Sequence, residues 1–226
     1  IEIMNVLVTG VSRGIGLEVL KSFCSQSHIN RVYAVSSTVC SFKNEKVVYI
    51  RCDFLKENWI EKIKSVVRNE EINILINNAG YLYQGSVKDT SSTEMNNMVQ
   101  INYLAPIQIV QSLLSNLKIG KAHIVNIGSM GGFSGSSKFP GLSVYSSTKA
   151  ALANLSECWA EELKEFGVTS NCLALGAVNT EMLKNAFPNY EAPTSSTLMG
   201  EKIVDFSINF NSVLNGKIIP FSVSTP

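Results

Sequence analysis

From one end of the chain to the other, short runs of β-branched residues alternate with longer segments whose apolar residues recur at helical spacing. NVLVTG at 5–10 has the length and composition of a buried strand, and the segment after it sets Ile15, Val19, Leu20 and Phe23 on one helix face. RVYAVSS at 31–37 and KVVYIRCD at 46–53 are expected as the second and third strands. A helix after Asp53 collects Trp59, Ile60, Ile63, Val66 and Val67 on one face. INILINNAG at 72–80 predicts a fourth strand, a long helix with a bend near Pro106 covers 93–117, and AHIVNIGS is the fifth strand. The helix after Val144 is expected to run to about Phe166, where Gly167 stops it. VTSNCLALG, a helix near 198–209 and GKIIPF complete the pattern, leaving 81–92, 130–143 and 177–197 without one.

Strands apolar on both faces and joined by crossover helices make a parallel sheet covered by helices on each side. Right-handed crossovers then give a doubly wound α/β sheet of about seven strands. No Pro/Gly/Ser-rich linker divides residues 1–226, so a single domain is expected. Ligands of such sheets bind beyond the carboxyl ends of the strands. All three patternless stretches follow strand ends, so the loops and the site are expected to coincide.

Composition narrows the function classes. Lys and Arg number 19 against 18 Asp and Glu, so no net field draws the chain to nucleic acid or to an anionic membrane. No apolar run approaches the ~20 residues that span a bilayer, and the opening IEIMNVLVTG lacks the charged n-region of a signal peptide. Cys24, Cys40, Cys52, Cys158 and Cys172 are scattered, odd in number and form no CxxC pair, which favours reduced thiols and a cytoplasmic setting. With only His28 and His123 to add to them, no metal site is expected.

TGVSRGIG at 9–16 joins the first expected strand to the first helix. Gly10 permits a tight turn, Gly14 a close approach of backbone to a pyrophosphate, and Gly16 close packing of helix on strand. The free N–H groups and positive dipole end of the helix suit phosphate. The spacing is wider than GxGxxG; its place between strand and helix is what raises it above a plain tight turn. The end of the next strand carries Ser36, Ser37 and Thr38 where NAD-binding folds usually show an acid. Hydroxyls tolerate a ribose 2′-phosphate that a carboxylate repels, and Arg13 is a charge-assisted partner for it. NADP(H) is therefore the expected cofactor, with NAD(H) the alternative.

VYSSTK at 144–149 sets Tyr145 and Lys149 one helical turn apart. Alone, such a pair is usually a surface contact. Carbonyl reduction, however, needs a hydride, which is cofactor chemistry, and a proton from a positioned acid. Free tyrosine, with a pKa of about 10, is poorly matched to neutral pH. An ammonium within several ångströms is expected to lower that value by roughly 1–3 units. The small residues Ser146, Ser147, Ala150 and Ala151 leave room for a ribose beside Lys149.

Taken in order, TGVSRGIG, Asp53 after the third strand, NNAG at 77–80, Asn102, Ser129 after the fifth strand and YSSTK at 145–149 carry a family resemblance. The chain resembles a short-chain dehydrogenase/reductase over essentially its whole length, broadly like the 3-oxoacyl-carrier-protein reductases. The resemblance implies a Rossmann fold and a catalytic tetrad of Asn102, Ser129, Tyr145 and Lys149. In that tetrad Tyr145 gives the proton, Lys149 lowers its pKa and binds ribose hydroxyls, Ser129 holds the carbonyl oxygen, and Asn102 keeps a water in line with Lys149. Cofactor contacts are implied at Gly10, Ser12, Arg13, Gly14, Ile15 and Gly16 in the glycine loop, and at Ser36 and Ser37. They are implied also at Asp53 and Phe54 by the adenine, at Asn78, Ala79 and Gly80 along the cleft with Asn77, and at Gly176, Val178 and Thr180 near the nicotinamide, with Tyr145 and Lys149.

Two departures from the family stand out. Leu175-Gly176 replaces a common Pro-Gly, and the gap from Ser129 to Tyr145 is longer than usual. Ser134 and Ser136 thus compete with Ser129 for the catalytic role; Ser129 is preferred because it directly follows a strand. The extra residues are expected to bulge towards substrate or solvent. Read alone, Asp53 is a helix N-cap for the segment beginning near Phe54, and Thr180 a cap for the segment after it. The expected activity is NADP(H)-dependent interconversion of a small or medium carbonyl compound and an alcohol. Residues 177–197 cover that substrate through Met182, Leu183, Phe187 and Tyr190, with Leu82 and Tyr83 adding apolar contact. The resemblance implies a homodimer or homotetramer. A catalytically silent dinucleotide-binding protein is the rival, and a retained Tyr145–Lys149 pair argues against it.

Overall fold

A computed structural model describes residues 3–225; Ile1 and Glu2, at the head of the stretch read for a leader, lie outside the described residues. Seven strands match the seven expected: β1 (Met4–Thr9), β2 (Ile29–Ser36), β3 (Val47–Arg51), β4 (Ile74–Asn77), β5 (His123–Ile127), β6 (Thr169–Leu175) and, at the end of the chain, β9 (Ile218–Phe221). Between the last two come the two-residue strands β7 (Val178–Asn179) and β8 (Thr194–Ser195), which pair only with each other. The central sheet is parallel throughout, in the order β3-β2-β1-β4-β5-β6-β9. Because β4 rather than β3 lies beside β1 on its second side, the chain reverses direction across the sheet there. A crevice opens at such a switch point, and the glycine loop after β1 and NNAG after β4 both end in it.

The helices are α1 (Gly14–Ser25), α2 (Trp59–Val67), α3 (Ser92–Val99), α4 (Ala105–Ser112), α5 (Leu114–Ile119), α6 (Ser143–Glu162), α7 (Glu181–Ala186) and α8 (Ser196–Asn209). Strand side chains alternate between faces, and the core divides accordingly. Val6, Val8 and Ile76 meet Leu20 and Phe23 of α1 and Ile203 and Phe206 of α8. Leu7, Leu75 and Ile124 meet Ile63 of α2, Ile109 of α4 and Trp159 of α6. Each such side chain contributes roughly 1.5–3 kcal/mol by leaving water, which fixes the sheet floor beneath the crevice.

Three expectations about elements need correction. The single helix over 93–117 is three pieces: α3, a wide π-helical turn over Gln100–Leu104, then α4 and α5. Pro106 has no N–H to give the carbonyl of Asn102 four residues back, so the ladder opens where the bend was anticipated. The helix expected straight after Asp53 begins only at Trp59; residues 54–58 are turns, with Asn58 in the left-handed region at φ 59. Finally, 177–197 is not an irregular loop. It is a small folded cap in which α7 stands between β7 and β8. Leu183, Ala186 and Phe187 do follow helical spacing, but over too few residues to show as a period.

Candidate active site

The crevice is about 420 Å³ and is lined by all three stretches that follow strand ends. At one end lies the glycine loop. Gly10 takes φ +75, and a Cβ at Gly16 would stand 2.1 Å from the Gly10 carbonyl oxygen, so no other residue fits the close packing of α1 on β1. No side chain caps the N-terminus of α1 and no acid sits in its first turn, so its N–H groups face the crevice as donors. Asn78 fixes the loop from the neighbouring strand: its Nδ2 donates to the carbonyls of Thr9 (2.9 Å) and Gly10 (3.2 Å). In return the Thr9 hydroxyl accepts from the backbone N–H groups of Asn78 and Ala79. Below it, Asn77 donates to Asn126 and Asn126 to Ser156, a buried polar ladder that ties β4, β5 and α6 together.

Ser36, Ser37, Thr38, Asp53 and Phe54 line the same crevice beside the glycine loop. The Ser36 hydroxyl donates to the Thr38 carbonyl at 2.7 Å, which rounds off the end of β2. Asp53 accepts from the Leu55 N–H at 3.0 Å, capping a turn rather than a helix. Sequence reasoning missed Arg51. It pairs in register with Ser36 across β2 and β3, and its Nε donates to the Ser37 carbonyl at 3.4 Å. The signal was present as a cation on the strand next to a hydroxyl-rich strand end, and it needed the register to be seen. Arg13, by contrast, is exposed and pairs with Glu181 on α7 at 3.3 Å. The two span the mouth of the crevice.

At the other end lie Ser129, Tyr145 and Lys149. Ser129 follows β5 after the single residue Gly128, and its Oγ accepts from the Gly131 N–H at 3.1 Å. Neither competing serine, Ser134 or Ser136, lines the crevice, and Ser136 turns its hydroxyl to the carbonyls of Met130 and Phe133. Tyr145 and Lys149 project from the first turns of α6. Lys149 is 3% exposed, donates to the Ile127 carbonyl at 2.7 Å, and lies 6.0 Å from the centre of the Tyr145 ring.

The electrostatics overturn one expectation. The Tyr145 pKa is not lowered overall: burial pushes the phenol up to about 12, opposed by its hydrogen bond with Ser129. The same burial brings the Lys149 ammonium down to about 8. Tyr145 retains some exposed surface towards the crevice, yet losing water outweighs the Ser129 hydrogen bond that opposes it.

Asn102 sits in the π-helical turn, fully buried, with its carboxamide saturated. Its Oδ1 accepts from the Tyr81 N–H (2.7 Å) and its Nδ2 donates to the Tyr81 carbonyl (2.9 Å) and to Thr148 Oγ1 (3.0 Å). Thr148 in turn donates to the Tyr145 carbonyl at 2.7 Å. The side chain of Asn102 therefore positions the loop after β4 against α6, and Thr148, which sequence reasoning passed over, is the link. Tyr81 itself donates to Glu94 of α3 at 2.5 Å.

Gly176 and Val178 line the crevice after β6, and Gly176 is fixed by the C-terminal segment: a Cβ there would stand 1.9 Å from Ser222 Oγ. Thr180 caps α7, its hydroxyl accepting from the Leu183 N–H at 3.2 Å, and its methyl lies over Gly14. Met182, Leu183 and Phe187 line the crevice with Leu82. Tyr83 and Tyr190 do not; the Tyr190 hydroxyl donates to Ser224 instead.

These features match a known family. The model of the short chain dehydrogenases fits residues 4–191. The chain belongs to the short-chain dehydrogenase family. This short-chain dehydrogenase is 31% identical over 194 residues to the 3-oxoacyl-[acyl-carrier-protein] reductase FabG of Buchnera aphidicola, covering 82% of the chain and 78% of that protein. In fold it is similar to ElxO, solved with NADP bound, at TM-score 0.82 and 24% identity over 97% of both chains. It is similar as well to 4-hydroxyisoleucine dehydrogenase, solved with NADH, at TM-score 0.85 and 19% identity over 97% of both. It is an NAD(P)-dependent oxidoreductase. The glycine cradle and the uncapped α1 terminus have the shape and charge that a dinucleotide's phosphates need.

Proposed function

We propose that this short-chain dehydrogenase interconverts a carbonyl compound and an alcohol with NADP(H), and that Tyr145 gives and takes the proton. The observation that carries this is the convergence of Ser129, Tyr145 and Lys149 on the crevice that also holds the glycine loop. The dinucleotide supplies or removes the hydride. The chain's own residues handle the oxygen. Ser129 Oγ holds the carbonyl oxygen beside Tyr145 Oη, which donates its proton as negative charge builds there. With its pKa near 12, Tyr145 is protonated at neutral pH, the state reduction needs. Lys149, near 8, is still mostly charged at neutral pH and stabilises the phenolate left behind. Asn102 and Thr148 hold Tyr145's segment in place as positioning residues.

Preference for NADP(H) is supported by the hydroxyls of Ser37 and Thr38 and by Arg13 of the glycine loop, all lining the crevice, and by Arg51, whose Nε donates to the Ser37 carbonyl. ElxO, a fold neighbour, carries NADP in its structure, whereas the NADH complex of 4-hydroxyisoleucine dehydrogenase keeps NAD(H) as the second reading. A paired fluorescence titration with NADPH and NADH distinguishes them. Tighter NADPH binding is expected; tighter NADH binding would overturn the cofactor assignment and leave the fold and proton chemistry standing.

The cap over 177–197 is read as the substrate cover. The family's habits suggest a homodimer or homotetramer, which light scattering on the purified protein tests. Among the described residues no helix is long and apolar enough to cross a membrane, and the reduced-thiol composition supports a cytoplasmic setting.

A further inference from the structure

The residues that lengthen the gap between Ser129 and Tyr145 do not simply bulge into solvent. They bring Phe139 against Phe187 of the cap, ring centres 5.4 Å apart and at 73°. That is the edge-to-face geometry aromatic pairs prefer. Both rings line the crevice with Met130, Leu142, Leu183 and Ala186. The pair is held on each side by other bonds. The Gly141 carbonyl accepts from the Gly85 N–H at 3.0 Å, fastening the loop after β4 to the Phe139 segment. Thr180 caps the short helix that ends just before Phe187. The loops after β4, β5 and β6 thus form one rim, closed by two aromatic rings.

Charge is distributed just as unevenly. Among the described residues, the charged side chains lining the crevice are Arg13, Asp53, Lys149 and Glu181. Asp53 lies at the β2–β3 end, Lys149 is buried against Ile127, and Arg13 and Glu181 neutralise each other at the mouth. Lys138, next to Phe139 in the chain, turns its ammonium to the Phe133 carbonyl and the Ser136 hydroxyl, and neither it nor Lys184 of α7 lines the crevice to receive a substrate carboxylate or phosphate.

We infer that Phe139 and Phe187 are specificity-determining residues that select an uncharged ketone or aldehyde bearing an aryl or alicyclic ring. The ring lies against the phenyl pair, and the carbonyl oxygen is directed to Ser129 and Tyr145. This inference rests on the carbonyl reductase function proposed above. It disfavours substrates that carry a carboxylate or a phosphorylated arm next to the reacting carbon.

The test is a selectivity ratio measured with NADPH on one enzyme preparation. The values compared are kcat/KM for an aryl ketone such as 1-phenylpropan-2-one and for butanone, because their ratio is independent of the fraction of folded enzyme. Wild type is expected to favour the aryl ketone by tenfold or more. Phe139→Ala and Phe187→Ala should each reduce that ratio by about tenfold, the scale of one lost pocket contact. The double variant should fall no further than the worse single one, because the rings act as a pair. Phe187→Leu, a milder change, should give an intermediate ratio and keeps the test open if an alanine variant does not fold. A wild-type ratio near one, or a ratio unmoved by the substitutions, overturns the inference while leaving carbonyl reduction intact. Failure to turn over any carbonyl with NADPH or NADH overturns the proposed function and this inference with it.

Discussion

Tyr145 and Lys149 share one helix face, but burial drives their pKa values apart, the phenol's up from 10.0 and the ammonium's down from 10.5. The phenol keeps its proton up to about pH 12 and the ammonium gives its proton up near 8. Carbonyl reduction needs both protons in place. Its rate should therefore be level through neutral pH and fall as pH rises past about 8, with Lys149 setting the limb. A pH profile of kcat/KM checks this; a rate that climbs steadily to pH 10 would contradict it. The cation pair at the cofactor end gives a second prediction at this scale. Arg51→Ala should weaken NADPH binding by about tenfold, the loss of one charge-assisted contact, and leave NADH nearly unchanged. Arg13→Ala should do the same less strongly, because Arg13 is already engaged with Glu181. Equal losses for both dinucleotides in a fluorescence titration would remove the arginines from the 2′-phosphate.

Among elements, the junction of the π-helical turn with α6 is the most constrained. Thr148 is 5% exposed and bridges Asn102 to the Tyr145 carbonyl. Thr148→Val keeps the shape and removes the hydroxyl, leaving an amide hydrogen of Asn102 buried without a partner, at about 1–3 kcal/mol. The expected result is a fall in kcat with dinucleotide affinity held, restored by Thr148→Ser; parallel losses of kcat and affinity would point to general unfolding. This link could not be read from the sequence, since Thr148 is a small residue between Tyr145 and Lys149 and its partner lies 46 positions away. The seven main strands were legible because each is a dense apolar run bounded by turn residues. The break before Pro106 was legible in place but not in kind: proline marks where the ladder fails, while the wide turn depends on what Asn102 meets across the fold. The cap over 177–197 was not legible, because six helical residues and two strands of two residues carry too little periodicity.

The whole molecule carries a further titration remote from the crevice. His123 on β5 is fully buried. One ring nitrogen bonds to the Ser207 carbonyl of α8 and the other meets Asn171 Nδ2. Burial pushes its pKa from 6.5 down to about 4. A folded value below the unfolded one means that the unfolded chain takes up the extra proton. His123's contribution is therefore whole above about pH 6.5 and is lost as the pH falls towards 4, by up to ~3 kcal/mol. Urea midpoints of wild type and His123→Gln should converge as the pH drops from 7 to 4.5; curves that stay parallel would exclude His123 as the source. Sequence gave only a lone histidine in an apolar strand, and its satisfied, neutral state depends on α8 and β6 arriving from far along the chain. The site was legible to the extent that it consists of short ordered motifs, TGVSRGIG, NNAG and YSSTK, at strand ends and a helix start. Arg51, Thr148 and Phe139 entered it only through register, packing and loop closure.

The proton role of Tyr145 is tested most directly by Tyr145→Phe, assayed for NADPH oxidation with a carbonyl that wild type reduces. NADPH affinity should hold within about threefold, while kcat falls by roughly 10²–10⁴, the range of a lost general acid. Turnover close to wild type in a variant that still binds NADPH would contradict the assignment.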